Sequence, residues 1–151
     1  MTAVAFYHLT RSSAVEALPL LLAKTLDAGK TALVCCDDAR FNQFSTAIWS
    51  HQPNSWLPNG IAGRDDDDAG ICPIWITNTP DQNSNDGRFI FYLDGLEVDI
   101  PQTAERVFVL FDGRDDAAVG HARQQWKGLR DHGHDLTYWQ QNDRGGWQQS
   151  A

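Results

Sequence analysis

Apolar residues along the chain fall into short runs separated by turn residues, and two different periods alternate. Val4–Leu9 (VAFYHL) is short and aromatic and predicts a strand. Ser12 or Ser13 then stands where an N-cap belongs, ahead of the helical spacing Val15, Leu18, Leu21, Leu22, Leu26, and Gly29 closes that helix. Thr31–Cys36 (TALVCC) is a continuous apolar run of strand length, the pattern of a strand covered on both faces. Asp37 or Asp38 is placed to cap a second helix running to about Trp49. Strand, helix, strand, helix is the order of a parallel α/β sheet.

From Ser50 to Gly70 the chain is rich in Pro, Gly, Asn and Asp, which predicts a long, partly irregular connection. Ile71–Thr77 and Phe89–Leu93 then read as strands on either side of the turn-rich stretch Asn78–Gly87. Arg106–Phe111 reads as a buried strand, residues 115–132 as a helix and Asp135–Gln140 as a last strand. The expected organisation is one domain over residues 1–147, with 148–151 a disordered tail.

With 42% apolar residues among 151, the chain can bury one core and is too short for two ordinary domains. Its net charge of −8 is unevenly spread: residues 61–118 carry four basic and thirteen acidic side chains, residues 119–151 four and three. Tight gripping of duplex phosphates needs a basic face, so direct, tight nucleic-acid binding is not expected. The start has no basic stretch leading an apolar one, and no segment approaches the roughly eighteen apolar residues of a membrane span, so a cytoplasmic location is expected. Cys35 and Cys36 are adjacent in an apolar run and Cys72 stands alone, a pattern of reduced thiols without a disulfide framework.

Several chemical motifs dissolve on inspection. Gly29-Lys30-Thr31 resembles the end of a phosphate-binding loop, but here a helix runs into the triplet and a strand leaves it, the reverse of the required order. Asp65–Asp68 are consecutive carboxylates that cannot all face one ion, and read as a solvated loop. His132 and His134 lack the third ligand and the spacing of a zinc site; a helix end at Gly133 explains them. No GxSxG elbow is present. Asp37–Asp38 and Asp115–Asp116 precede helices, where acids stabilise the first turn. No catalytic residue, cofactor or metal is therefore assigned.

Two regions resist such readings. Ala117–Arg130 contains no acid, and at about 100° per residue Arg123, Trp126, Lys127 and Arg130 share one face, with Val119 on the same side. Ala118, Ala122 and Leu129 form the neighbouring stripe suited to packing on a sheet. Arg and Trp together are a common composition of protein-binding surfaces, and an acidic peptide ending in an aromatic residue suits this one. The second region is Trp49, Pro53, Trp56, Leu57 and Pro58, an apolar cluster in a turn-rich segment whose exposed members would mark a partner site.

The segments AFYHL, LVCCDD, IWSHQPNSWLPNGIAG, PIWIT and ARQQWKGLRDHGHDLTYWQQ, followed by GGW, resemble in order and spacing the chi subunit of bacterial DNA polymerase III, from about Val4 to Trp147. The resemblance implies a single-domain, three-layer α/β fold with a mixed, mostly parallel sheet flanked by helices, superficially Rossmann-like and without a nucleotide site. It implies two partners: the psi subunit, which tethers chi to the clamp loader, and the acidic C-terminal tail of single-stranded DNA-binding protein. It carries tail binding onto Arg123 and Lys127, with Trp126 beside them and Arg130 one turn later, and the psi-facing surface onto Trp49, Pro53, Trp56 and Leu57. Val119 stands where some relatives have a further lysine, and the Arg64–Asp68 run is unusual for the family. The function expected is thus a non-catalytic bridge. A nucleotide-binding or phosphoester-hydrolysing α/β enzyme, and a single-strand-binding module using the basic helix and tryptophans, are the alternatives.

Overall fold

The computed structural model describes all residues except 1, 52–56, 80–84, 94, 102, 145 and 151. Its elements are strands β1 (Ala3–Leu9), β2 (Ala32–Cys35), β3 (Asn59–Ile61), β4 (Ile74–Thr77), β5 (Phe89–Tyr92), β6 (Arg106–Asp112), β7 (Asp135–Gln141) and β8 (Trp147–Gln149), and helices α1 (Ala14–Asp27), α2 (Phe41–Trp49) and α3 (Asp116–Asp131). The strands form one sheet in the order β3-β4-β2-β5-β6-β1-β7-β8, every pairing parallel except β7 with β8.

Alternation along each strand divides the core into two layers. Ala5, Tyr7, Val34, Ile76, Phe91 and Leu110 point to the face carrying α1 and α2. Val4, Phe6, Leu33, Trp75, Ile90 and Val109 point to the other face, where Ala122 and Trp126 of α3 and the segment around Leu96–Ala104 cover them. This is the expected three-layer α/β domain. β2 is buried at all four residues, as a continuous apolar run requires.

Local chemistry sets the boundaries. Ser13 and Glu16 form a capping box at the start of α1. Asp37 accepts from the Ala39 amide and opens a 3-10 turn, Asp38–Arg40, that precedes α2. Gly29 and Gly133 follow α1 and α3 with φ of +75° and +84°, the left-handed conformation that ends a helix at little cost to glycine.

The partly irregular connection from Ser50 to Gly70 contains β3 and the start of a 3-10 segment, Asp66–Ile71. Two expectations are corrected. The following strand starts at Ile74, because the Cys72 amide turns back to the Asp68 carbonyl; Ile71 is left 81% exposed. The tail beyond Trp147 is not loose at Gln148 and Gln149, which pair with Gln140 and Trp139.

Candidate functional site

α3 begins where the Asp115 carboxylate accepts from the Ala117 amide, and ends where the His132 ring bonds the Gly128 carbonyl. Its inward stripe is broader than the sequence pattern indicates: besides Ala122 and Leu129, Val119 and Trp126 pack on the sheet. The Trp126 ring meets Phe6 edge-on at 5.3 Å and Tyr138 at 5.8 Å between centroids. Trp126 is thus a half-buried floor rather than a free-standing side chain, and part of its area stabilises the core.

Arg123, Lys127 and Arg130 are exposed along the edge of that floor. None makes an ion pair with a described residue; the pairs present, such as Lys30–Glu105 at 2.9 Å and Arg114–Asp112 at 2.9 Å, lie elsewhere. Arg123 overlooks His8 and Tyr138, whose imidazole Nδ1 and hydroxyl share a hydrogen bond. Burial first, then the Arg123 charge, lowers the His8 proton affinity, while the Gly113 backbone and Asp112 work in the other direction. The imidazole lies so close to Gly113 that a Cβ there would stand 1.9 Å from the ring. Burial raises the Tyr138 pKa, and Arg123 opposes it.

The opposite flank of α3 is different in kind. His121, Gln124, Gln125, Gly128, Leu129 and His132 face Glu97 and Val98 across a groove of about 310 Å³, and Gln125 donates to the Leu96 carbonyl at 2.9 Å.

At the C-terminal ends of the parallel strands, where α/β domains commonly hold ligands, a cleft of about 620 Å³ lies among Leu9, Tyr92, Phe111, Asp112, Asp115 and His121. Several amide donors around it are already engaged. Ser13 with Glu16 occupies the start of α1, Asp37 that of the 3-10 turn before α2, and Asp115 that of α3, whereas α2 itself has no side-chain cap. In the loop after β1, the Thr10, Arg11 and Ser12 amides all donate to one oxygen, Oε1 of Gln141, at 3.0, 2.9 and 3.1 Å. The Gln141 Nε2 in turn donates to Ser12 Oγ at 2.6 Å. Sequence reasoning missed Gln141, because its role depends on β7 lying beside β1 across some 130 residues.

Of the apolar cluster after α2, Trp49 is 46% exposed whereas Leu57 is 4% exposed and belongs to the core beneath α2. Leu57 is therefore removed from the partner surface: its area is already spent on packing. Pro53 and Trp56 lie outside the described residues. Cys35, Cys36 and Cys72 form no disulfide, and burial pushes the Cys35 and Cys72 thiols up, away from reactive thiolate. Among the described residues no group of three His, Cys, Asp or Glu side chains is placed to hold a metal ion, and no helix is long and apolar enough to cross a membrane.

Comparison with curated proteins finds none that matches. The sequence profile described as DNA polymerase III chi subunit, HolC, matches residues 1–137. That span covers β1 through the first three residues of β7, including all of α3, and stops short of Tyr138 and β8. Matched over most of its length, the chain belongs to the DNA polymerase III chi subunit family, accessory components of the replicative polymerase.

Proposed function

We propose that the protein is a non-catalytic bridge in the cytoplasm, joining the clamp loader through a psi subunit to the acidic C-terminal tail of single-stranded DNA-binding protein. The observation that carries this reading is the basic flank of α3: three exposed cations, unpaired among the described residues, beside an aromatic floor on a chain of net charge −8. Exposed cations without internal partners need no desolvation of an existing pair before an anionic partner binds. Arg123 and Lys127 would meet carboxylates of the tail, with Trp126 contributing apolar area and Arg130 extending the charge by one turn. The filled amides of the β1–α1 loop and of the α3 start support the non-catalytic half, since a phosphate bound to them would have to displace Gln141 or Asp115. Trp49, with Pro53 and Trp56, is the proposed psi-facing surface.

A short Asp-rich peptide ending in phenylalanine should bind in a salt-sensitive manner. Arg123→Ala or Lys127→Ala should each cost about 1–3 kcal/mol of that affinity. Unchanged affinity in both variants removes the assignment. Trp49→Ala should weaken co-purification with psi while leaving the peptide's affinity intact.

A further inference from the structure

The connections that follow β1 and β6 leave the sheet in opposite directions. From β1 the chain crosses through α1 on one face to β2, and from β6 it crosses through α3 on the other face to β7. β1 and β6 are neighbours, in parallel register from Ala3 with Arg106 to Leu9 with Asp112, so the two connections part at the end of this pair. A crevice at such a reversal is where open α/β sheets take ligands. The cleft of about 620 Å³ lies there, and it is large enough to enclose a small molecule. Leu93, Leu96, Val109 and Phe111 give it apolar walls. One polar atom of the lining is unaccounted for: Nε2 of His121 is buried and has no hydrogen-bond partner among the described residues. Two other buried side-chain atoms share that state, on Trp75 and Asn85, and neither residue lines the cleft. A buried polar atom left unmet costs stability, which singles out His121 as a group waiting for a partner.

We infer that this crevice is a binding site for a small organic cation, an ammonium or amidinium group carried on an apolar body. The site does not depend on the acidic-tail reading, since His121 lies on the flank of α3 away from Arg123. Anions are disfavoured because the loop amides donate to Gln141 and the Ala117 amide donates to Asp115. Acceptors, in contrast, are available. Asp112 and Asp115 both line the cleft, and each engages one oxygen, Oδ1 of Asp112 with Arg114 and Oδ1 of Asp115 with the Ala117 amide. The second oxygen of each carboxylate is left to accept from a ligand. The cations of the lining are directed elsewhere: Arg114 Nε donates to Asp112 at 2.9 Å, and Arg40 Nε donates to Gln43 at 3.1 Å with its guanidinium over the Phe44 ring. A chain of net charge −8 adds a general field that draws cations in. With the ring proton on Nδ1, Nε2 of His121 accepts a hydrogen bond. The ligand's N–H groups therefore donate to Asp115 and His121, and its apolar body rests on the leucines and Phe111.

The test uses the full chain and benzamidine, followed by NMR, with benzoate as the same ring carrying the opposite charge. Benzamidine should shift the His121 ring and Gly95 amide resonances saturably at about millimolar concentration, the affinity expected of so small a molecule. Benzoate should leave them in place. Asp115→Asn keeps a helix-capping side chain and removes the charge, and should weaken benzamidine about five- to tenfold. His121→Leu removes the unmet nitrogen and should weaken it about three- to tenfold, while melting at or above the temperature of the parent. A merely structural histidine predicts the reverse, a lower melting temperature with affinity unchanged. Should His121→Leu fail to fold, Asp115→Asn decides. Absence of saturable benzamidine binding, benzoate binding equally well, or affinity unchanged in the folded variants overturns the site.

Discussion

The β1–α1 loop and the outer flank of α3 both concentrate positive potential, one from backbone amides and the other from side chains, yet they end in opposite states. In the loop, three successive amides converge on Oε1 of Gln141, which is 7% exposed. On α3, three cations face solvent with no partner among the described residues. The fold thus engages the β1–α1 loop amides from within, where many α/β domains receive a phosphate, and leaves its open charge on the outside of a helix. A solvent-facing row of cations suits a flexible macromolecular partner better than a small ligand, which needs enclosure to be held.

The largest effect should come from opening the closed region. Gln141→Ala leaves three amides and the Ser12 hydroxyl without their acceptor or donor, and the unfolding free energy should fall by about 2–4 kcal/mol. Gln141→Glu keeps the accepting oxygen, and the Ser12 hydroxyl can turn to donate, so its loss should be smaller. Denaturant unfolding of the two variants checks the order. If the plug reading holds, sulfate should also raise the melting temperature of Gln141→Ala more than that of the parent, because an anion can then enter the vacated amide nest. An alanine variant as stable as the parent breaks the comparison on its closed side.

How much of this contrast the chain reveals by itself follows from the range of the interactions. The capping box of α1, the buried run of β2 and the acid-free stretch of α3 are local patterns, and each appears where periodicity and capping put it. β3 escapes notice because Asn59-Gly60-Ile61 has the composition of a turn; its polar member is tolerated only because Ser45 donates to Asn59 Oδ1 at 2.6 Å and Asn59 donates to the Leu57 carbonyl at 3.1 Å. β8 escapes because two glutamines carry no strand signal until β7 supplies a partner. For the candidate site, the cations were legible as a face, since helical spacing fixes their direction. The depth of Trp126, the burial of Leu57, the His8–Tyr138 contact and the Gln141 plug all depend on which strands are neighbours, and that order is not written in any local window.

A smaller effect sharpens the difference between the two flanks of α3. Gly128 sits in the helix interior, and a Cβ there would meet nothing within 4 Å. Gly128→Ala should therefore stabilise the fold by about 0.5–1 kcal/mol through helix propensity alone. It lines the groove with Glu97 and not the basic flank, so the acidic peptide should bind the variant as it binds the parent. A peptide affinity that falls in Gly128→Ala would move the docking surface to the groove.

The smallest expected effect concerns His8, which connects the sheet to the basic flank. In the folded chain its proton affinity lies below the ordinary value of 6.5, chiefly through burial. As the pH falls below 6.5, the unfolded chain takes up a proton that the folded chain resists, so stability present above that point is lost progressively until the folded-state value is passed. The Asp112 carboxyl, held below its ordinary 3.8 by the backbone and side chain of Arg114, acts only at lower pH, so the interval from pH 7.5 to 5 separates the two. His8→Leu should lose less stability across that interval than the parent, measured by urea unfolding at both values. The same coupling reaches α3: a carboxylate docked against Arg123 offsets the charge that opposes His8 protonation, so peptide binding should draw in a fraction of a proton on the acid side of neutrality, and His8→Leu should abolish that uptake. Equal uptake by parent and variant would mean that the imidazole and the basic flank, although neighbours, are energetically independent.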